Sequence, residues 1–188
     1  TKRLLYLIIL LISLCNIFIR IKGGVNMKKI LLLLLISFIA KPDYSGVGLA
    51  LTSDGDVDIV GIGYEQVTSK LSFGVSVGRA EVGIFSGDVY GVGLAYAFTD
   101  FNTGSFFVDV DYISVDLGVS ADDTTFGLGY AKASGDGLDY SVGISDSDAG
   151  AVFSAGLTSW LGNGLGIGAG IAADDNDTAY NLSLIYKF

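Results

Sequence analysis

The sequence predicts an all-β chain: a transmembrane antiparallel up-and-down β-barrel of ten strands, with eight as the alternative and short loops on both sides. Three observations carry this. Beyond residue 41 large apolar residues recur at every second position, the period of a strand with one apolar face. The face between them is glycine, alanine and serine, too small for an ordinary solvated surface. The alternating segments are about ten residues long and are separated by short polar turns, with no helical period between them.

The segments follow in order. The first two are 45–53, with Val47, Leu49 and Leu51 on the apolar face, and 57–66, with Val60, Ile62 and Tyr64. Next come 71–82 (Leu71, Phe73, Val75, Val77) and 89–98 (Tyr90, Val92, Leu94, Tyr96, Phe98). The middle pair is 105–115 (Phe106, Val108, Val110, Tyr112) and 124–133 (Phe126, Leu128, Tyr130). Then 138–145 (Leu138, Tyr140, Val142, Ile144) and 150–160 (Phe153, Ala155, Leu157) precede 165–172 (Leu165, Ile167, Ala169, Ile171). The last, 178–188, reads "TAYNLSLIYKF", with Tyr180, Leu182, Leu184, Tyr186 and Phe188 alternating. Ile59 and Val152 break the parity of their segments. Clusters such as "SDGD", "TDFNTG", "SGDG", "LGNG" and "DDND" mark the turns.

A soluble sandwich would carry long charged side chains on its outer face. Inverting the barrel fits better: the apolar face meets lipid, the small face lines a narrow bore, and closure pairs every backbone N–H and C=O without water. With an even strand number and both termini at one end, Tyr64, Phe98, Phe101, Phe106, Tyr130, Tyr140, Trp160, Tyr186 and Phe188 fall near that end. This is the placement of an interfacial aromatic girdle.

The first forty residues read as processing rather than fold. They hold no acid, six of the eleven Lys and Arg and two long apolar runs. From Met27, "MKKILLLLLISFIA" has the basic start and apolar core of a signal peptide, with cleavage expected after Ala40 although Phe38 stands where a small residue is preferred. A retained anchor is the alternative, but the core is short for crossing about 30 Å of hydrocarbon. Residues 1–26 are expected to be an untranslated leader or a spurious extension, because Lys22-Gly23-Gly24 can be encoded as a ribosome-binding sequence just before Met27. The alternative is a membrane helix over residues 4–21. Cys15, the one cysteine, follows Leu14, a poor match to a lipid-acylation site. The single domain is then 41–188, without a disulfide.

That domain carries all twenty acids against Lys41, Lys70, Arg79, Lys132 and Lys187, a formal charge of −15. The balance argues against nucleic acid, whose phosphates need clustered Lys and Arg.

The basic-apolar start, the alternating strands and the ending "NLSLIYKF" resemble the small bacterial outer-membrane β-barrel proteins, the porin-like and OmpA-type barrels. The resemblance is one of pattern, over residues 45–188. It implies export to the outer membrane, contact with its lipid, and recognition of the last strand by the barrel-assembly machinery through Tyr180, Leu184, Tyr186 and Phe188. It also bears on enzymes: outer-membrane proteases, acyltransferases, deacylases and phospholipases of this architecture use a histidine, and this chain has none. Carboxylates alone would have to do acid–base or nucleophilic work. The G-x-G repeats lie within strands and precede no helix, so no phosphate loop is expected, and no cofactor.

Two roles remain open. One is structural or a passive pore, in which inward Glu65, Asp109, Asp111 and Asp139, with Lys187 near the mouth beside the termini, would favour cations. The other is a barrel plugged by Phe107, Ile113 and Ile185 with a surface role, in which Ca2+ or Mg2+ binds acidic loops at Asp54, Asp56 and Asp58, Asp122 and Asp123, Asp146 and Asp148, or Asp174, Asp175 and Asp177. None of these matches the twelve-residue calcium loop. A secreted glycine-rich β protein is a further alternative, and it predicts a constant repeat length that the spacings lack.

Overall fold

The computed structural model describes residues 43–188 except 119, 148 and 149. The leader, the signal peptide, the 4–21 span and Asp148 therefore lie outside the described residues. Among the described residues no helix is long and apolar enough to cross a membrane.

The described residues form ten strands: β1 (Tyr44–Ser53), β2 (Val57–Val67), β3 (Leu71–Val82), β4 (Phe85–Ala97), β5 (Ser105–Asp116), β6 (Ser120–Lys132), β7 (Leu138–Ser147), β8 (Gly150–Trp160), β9 (Leu165–Ala173) and β10 (Thr178–Lys187). Each pairs antiparallel with its sequence neighbours, and β1 pairs with β10 to close the barrel. The closing register runs from Gly46↔Lys187 to Ser53↔Tyr180. It matches Leu49 with Leu184 and Leu51 with Leu182, so both apolar faces point the same way.

The apolar face is the outer one. Leu49, Leu51, Val60, Ile62, Phe106, Phe126, Leu128, Val142, Phe153, Leu157, Leu182 and Leu184 are all exposed. Cross-strand pairing carries the same face round the wall, as in Tyr64↔Val75, Val75↔Val92 and Val92↔Tyr112.

Two strands start earlier than the sequence pattern indicates. β4 begins at Phe85 rather than 89, and β6 at Ser120 rather than 124. Ser86, Gly87, Asp88, Asp122 and Asp123 resemble turn residues, yet they extend ladders beyond the apolar band, where outward positions meet water. Arg79 pairs with Asp88 in register and donates from Nη2 to Ser86 Oγ at 2.6 Å. Gly83, with φ of 60°, occupies the first central position of the two-residue β3–β4 turn, as a type II′ hairpin requires.

Candidate functional site: the lumen and its closed mouth

Inward positions build the site. Between the large outer residues, the inner rows place Gly46, Glu65, Gly74, Gly93 and Asp111 side by side across β1 to β5. The glycines make room for carboxylates: a Cβ on Gly93 would collide with Asp111 Oδ1, and one on Gly127 would sit 2.5 Å from Asp109 Oδ1. The result is a lumen cavity of about 550 Å3, lined by Glu65, Ser76, Asp111, Ile113 and Ser183 among others. Ile113 faces inward and is still 40% exposed, so solvent reaches this cavity from the rim far from the termini. A second cavity of about 260 Å3 lies beyond Glu65, Ser183 and Ile185, bounded by Tyr44, Asp139, Thr158 and Trp160.

All five expected lumen charges occupy inward register positions, but they differ in freedom. Glu65 takes a hydrogen bond from the Tyr44 hydroxyl, and its Oε1 is buried without a partner. Asp109 and Asp111 occupy successive inward positions of β5. Asp139 is instead a structural acceptor for the β6–β7 turn. It receives the Ser134 amide at 2.9 Å, the Ser134 hydroxyl at 2.8 Å, the Gly135 amide at 2.8 Å and Trp160 Nε1 at 2.6 Å. Lys187 donates to the Gly135 carbonyl and lies 5.3 Å from the Trp160 ring centre.

The mouth beside the termini is filled. Tyr44, Val67, Ala97, Phe101, Ala131 and Trp160 form one buried cluster, with Phe107 and Ile185 packed against it. Phe101 reaches it because the turn of residues 98–104 folds inward. The Phe101 amide donates to Ser69 O and its carbonyl accepts from Ala133 N, both at 2.8 Å, while Asn102 Nδ2 donates to Asp43 at 3.1 Å.

The expected girdle divides accordingly. Phe98, Phe106, Tyr140 and Tyr186 are exposed on the outer face. Rings adjoin round the wall, Phe106 to Tyr130 at 5.3 Å and Tyr130 to Tyr140 at 6.2 Å, and Tyr96 joins Phe98 at 6.3 Å. Tyr64 lies on the same face and hydrogen-bonds to Gln66. Trp160 does not belong to this group: it points inward and is 8% exposed, because it has the parity of Gly156 and Thr158 rather than of Phe153 and Leu157. Phe101 likewise belongs to the mouth cluster. The sequence signal for Trp160 was the parity of its own strand; for Phe101, held by turn geometry, there was none.

The expected assembly residues Tyr180, Leu184, Tyr186 and Phe188 all face outward and are exposed. The acidic tips serve their own turns. Asp54 Oδ1 accepts the amides of Asp56 and Val57 at 2.9 and 2.7 Å, and Asp174 Oδ1 those of Asn176 and Asp177, both at 2.7 Å. These bonds hold both carboxyls below the usual carboxylate range. Among the described residues no group of three or more His, Cys, Asp or Glu is arranged to hold a metal ion.

No protein-family model matches the chain, and no curated protein matches it in sequence. Among solved structures, the N-terminal β-barrel domain of Pseudomonas aeruginosa OprF is similar at 11% identity and a TM-score of 0.41, over 78% of this chain and 98% of that one. The KdgM porin in complex with disordered oligogalacturonate is similar at 12% identity and 0.45, over 76% and 99%. A de novo designed transmembrane β-barrel is similar at 14% identity and 0.38, over 79% and 98%.

Proposed function

We propose that this chain is a bacterial outer-membrane β-barrel whose lumen is a narrow, cation-favouring path. The observation that carries the reading is the inverted distribution of side chains on a closed wall: large apolar residues outside, glycines and carboxylates inside. The outer apolar band runs from Tyr90 on β4 to Phe98 just past its end and from Phe106 to Tyr112 on β5, with Asp88 and Asp116 beyond it. Seven to nine tilted residues span about 20 Å, close to the apolar band of such barrels. No helix and no water is needed to satisfy that backbone. Export by the segment 27–40, and assembly through the outward residues of β10, complete the proposal.

Cation preference follows from the lining. Glu65 and Asp111 line the cavity and Asp109 holds the neighbouring inward position of β5, whereas Lys187 is tied to the mouth. In planar bilayers under a KCl gradient the reversal potential is expected to favour K+, and Asp111→Asn to weaken that preference. Anion preference would overturn it. Closure itself is read from gel migration: the unboiled protein is expected to run apart from the boiled one and to show β circular dichroism in detergent, whereas a soluble protein with no shift would remove the membrane reading.

The filled mouth favours a second reading, a plugged barrel with a structural or surface role. It predicts no conductance at any voltage. A divalent-cation version of this role would use the acidic tips, and calorimetric titration with CaCl2 tests it; heat of binding lost in Asp54→Ala or Asp174→Ala is the expected sign. The absence of histidine fits a non-enzymatic role. A secreted glycine-rich β protein would leave the apolar exterior without a solvent to match it.

A further inference from the structure

We propose that the β6–β7 turn, residues 133–137, is a gate held shut across the lumen mouth by side chains of Asp139, Trp160, Lys187 and Tyr44. The inference rests on the pore reading above and concerns its regulation. Three observations carry it.

The contacts cross the bore instead of following the wall. In the barrel order β1-β10-β9-β8-β7, β1 stands four strands from β7 and β10 stands three. Yet Tyr44 of β1 packs on the Gly135 backbone so closely that a Cβ there would lie 2.7 Å from its ring, and Lys187 of β10 bonds to the Gly135 carbonyl. Neighbours along a wall could not make these contacts.

The two ends of the turn are fastened differently from its centre. Ala133 donates its amide to Phe101 O and Gly137 O accepts the Trp160 amide, both at 2.8 Å, which continue the backbone network of the rim. Residues 134 and 135 have no such tie. Their amides go to the Asp139 carboxylate, and the Gly135 carbonyl goes to Lys187. The centre can therefore swing away without breaking a wall ladder.

The turn has the hinges to do so. Gly135 and Gly137 have φ of 66° and 64°, in the region that glycine enters freely and leaves without a side-chain penalty. Trp160 links the latch to the plug: its indole N–H holds Asp139, its ring lies under Lys187 and stacks edge-on against Tyr44 at 5.6 Å. Releasing the turn uncovers the cavity bounded by Tyr44, Asp139 and Trp160, and through it the larger one.

The test uses the full chain, purified in detergent and recorded in planar bilayers in KCl, with heat-modifiable migration required of every variant. Trp160→Phe keeps an aromatic ring at the site but removes the indole N–H that holds Asp139; Lys187→Met loses the tie to Gly135; Lys70→Met, exposed in the β2–β3 turn of the same rim and outside the latch, controls for charge. Open probability is expected to rise about tenfold or more in the first two and to stay at the wild-type value in the control, with the unit conductance of Trp160→Phe unchanged. Trp160 is the one tryptophan, so Lys187→Met is also expected to red-shift its emission and increase its quenching by acrylamide, which a merely structural loss elsewhere would not do. Equal open probability in wild type and both latch variants overturns the gate and leaves the pore. No conductance in any of them overturns the pore, and the gate with it.

Discussion

At the residue scale the lumen is a set of matched pairs in which a glycine on one strand makes space for a large or charged group on the next. Gly129 lies under the Phe107 ring, where a Cβ would sit 2.7 Å from Phe107 Cζ and would collide with the Val142 carbonyl. Gly166 lies under the Trp160 ring, where a Cβ would sit 2.9 Å from Cε3 and Cζ3. Backbone on one side and a packed ring on the other leave no room to yield, so Gly129→Ala is expected to destabilise the refolded barrel by about 1–3 kcal/mol. Gly74 is a contrast: its nearest neighbour is the Tyr64 carbonyl at 3.8 Å, an ordinary contact, and Gly74→Ala should be close to neutral. Urea unfolding followed by gel shift distinguishes the two. That the inner face is small was legible from alternation alone. Which glycine serves which side chain was not, because it depends on the stagger between strands, and no single strand encodes that.

At the element scale the turns and the last strand carry separate consequences. The Asp54 and Asp174 carboxylates accept two amides each, which depresses their folded-state pKa values. A depressed acid contributes its stabilisation above its unfolded value of about 3.9 and loses it as pH falls through the folded one. The β1–β2 and β9–β10 turns should thus keep the same amide protection at Val57 and Asp177 from pH 8 down to about 4, and loosen only below that. Because both carboxyls are exposed, the effect is local to the turns. For β10, Phe188→Ala should lower the yield of folded barrel in cells while leaving the urea midpoint of purified, refolded protein nearly unchanged; an equal loss in both would make Phe188 a stability residue instead of a recognition one. The parity of β8 already placed Trp160 inside. Its type suggested an interface position, and the inner hydrogen bond to Asp139 explains why a tryptophan is tolerated there: its N–H has a charged acceptor. The early starts of β4 and β6 were hidden for a related reason, since polar outward residues above the apolar band look like turn residues when only one strand is read.

At the scale of the whole molecule, ten alternating segments were enough to give the strand count, the antiparallel order and the inverted exterior, because these follow from period two and short turns. The filled mouth was less legible. Phe107 and Ile185 are large residues on an otherwise small face, and they do pack at the mouth. Phe101 and the inward fold of two turns come from contacts between residues far apart in sequence. One further property follows from the strand order. Nine of the ten ladders join consecutive strands and need only a short loop to close, whereas the β1–β10 ladder, with eight register pairs, closes roughly 130 to 140 residues at once. Contacts of such long range are the slow ones in forming a fold. The seam should accordingly zip last, so that substitutions at Leu49 or Leu184 mainly hasten unfolding, while equally costly ones in the β3–β4 hairpin mainly slow folding.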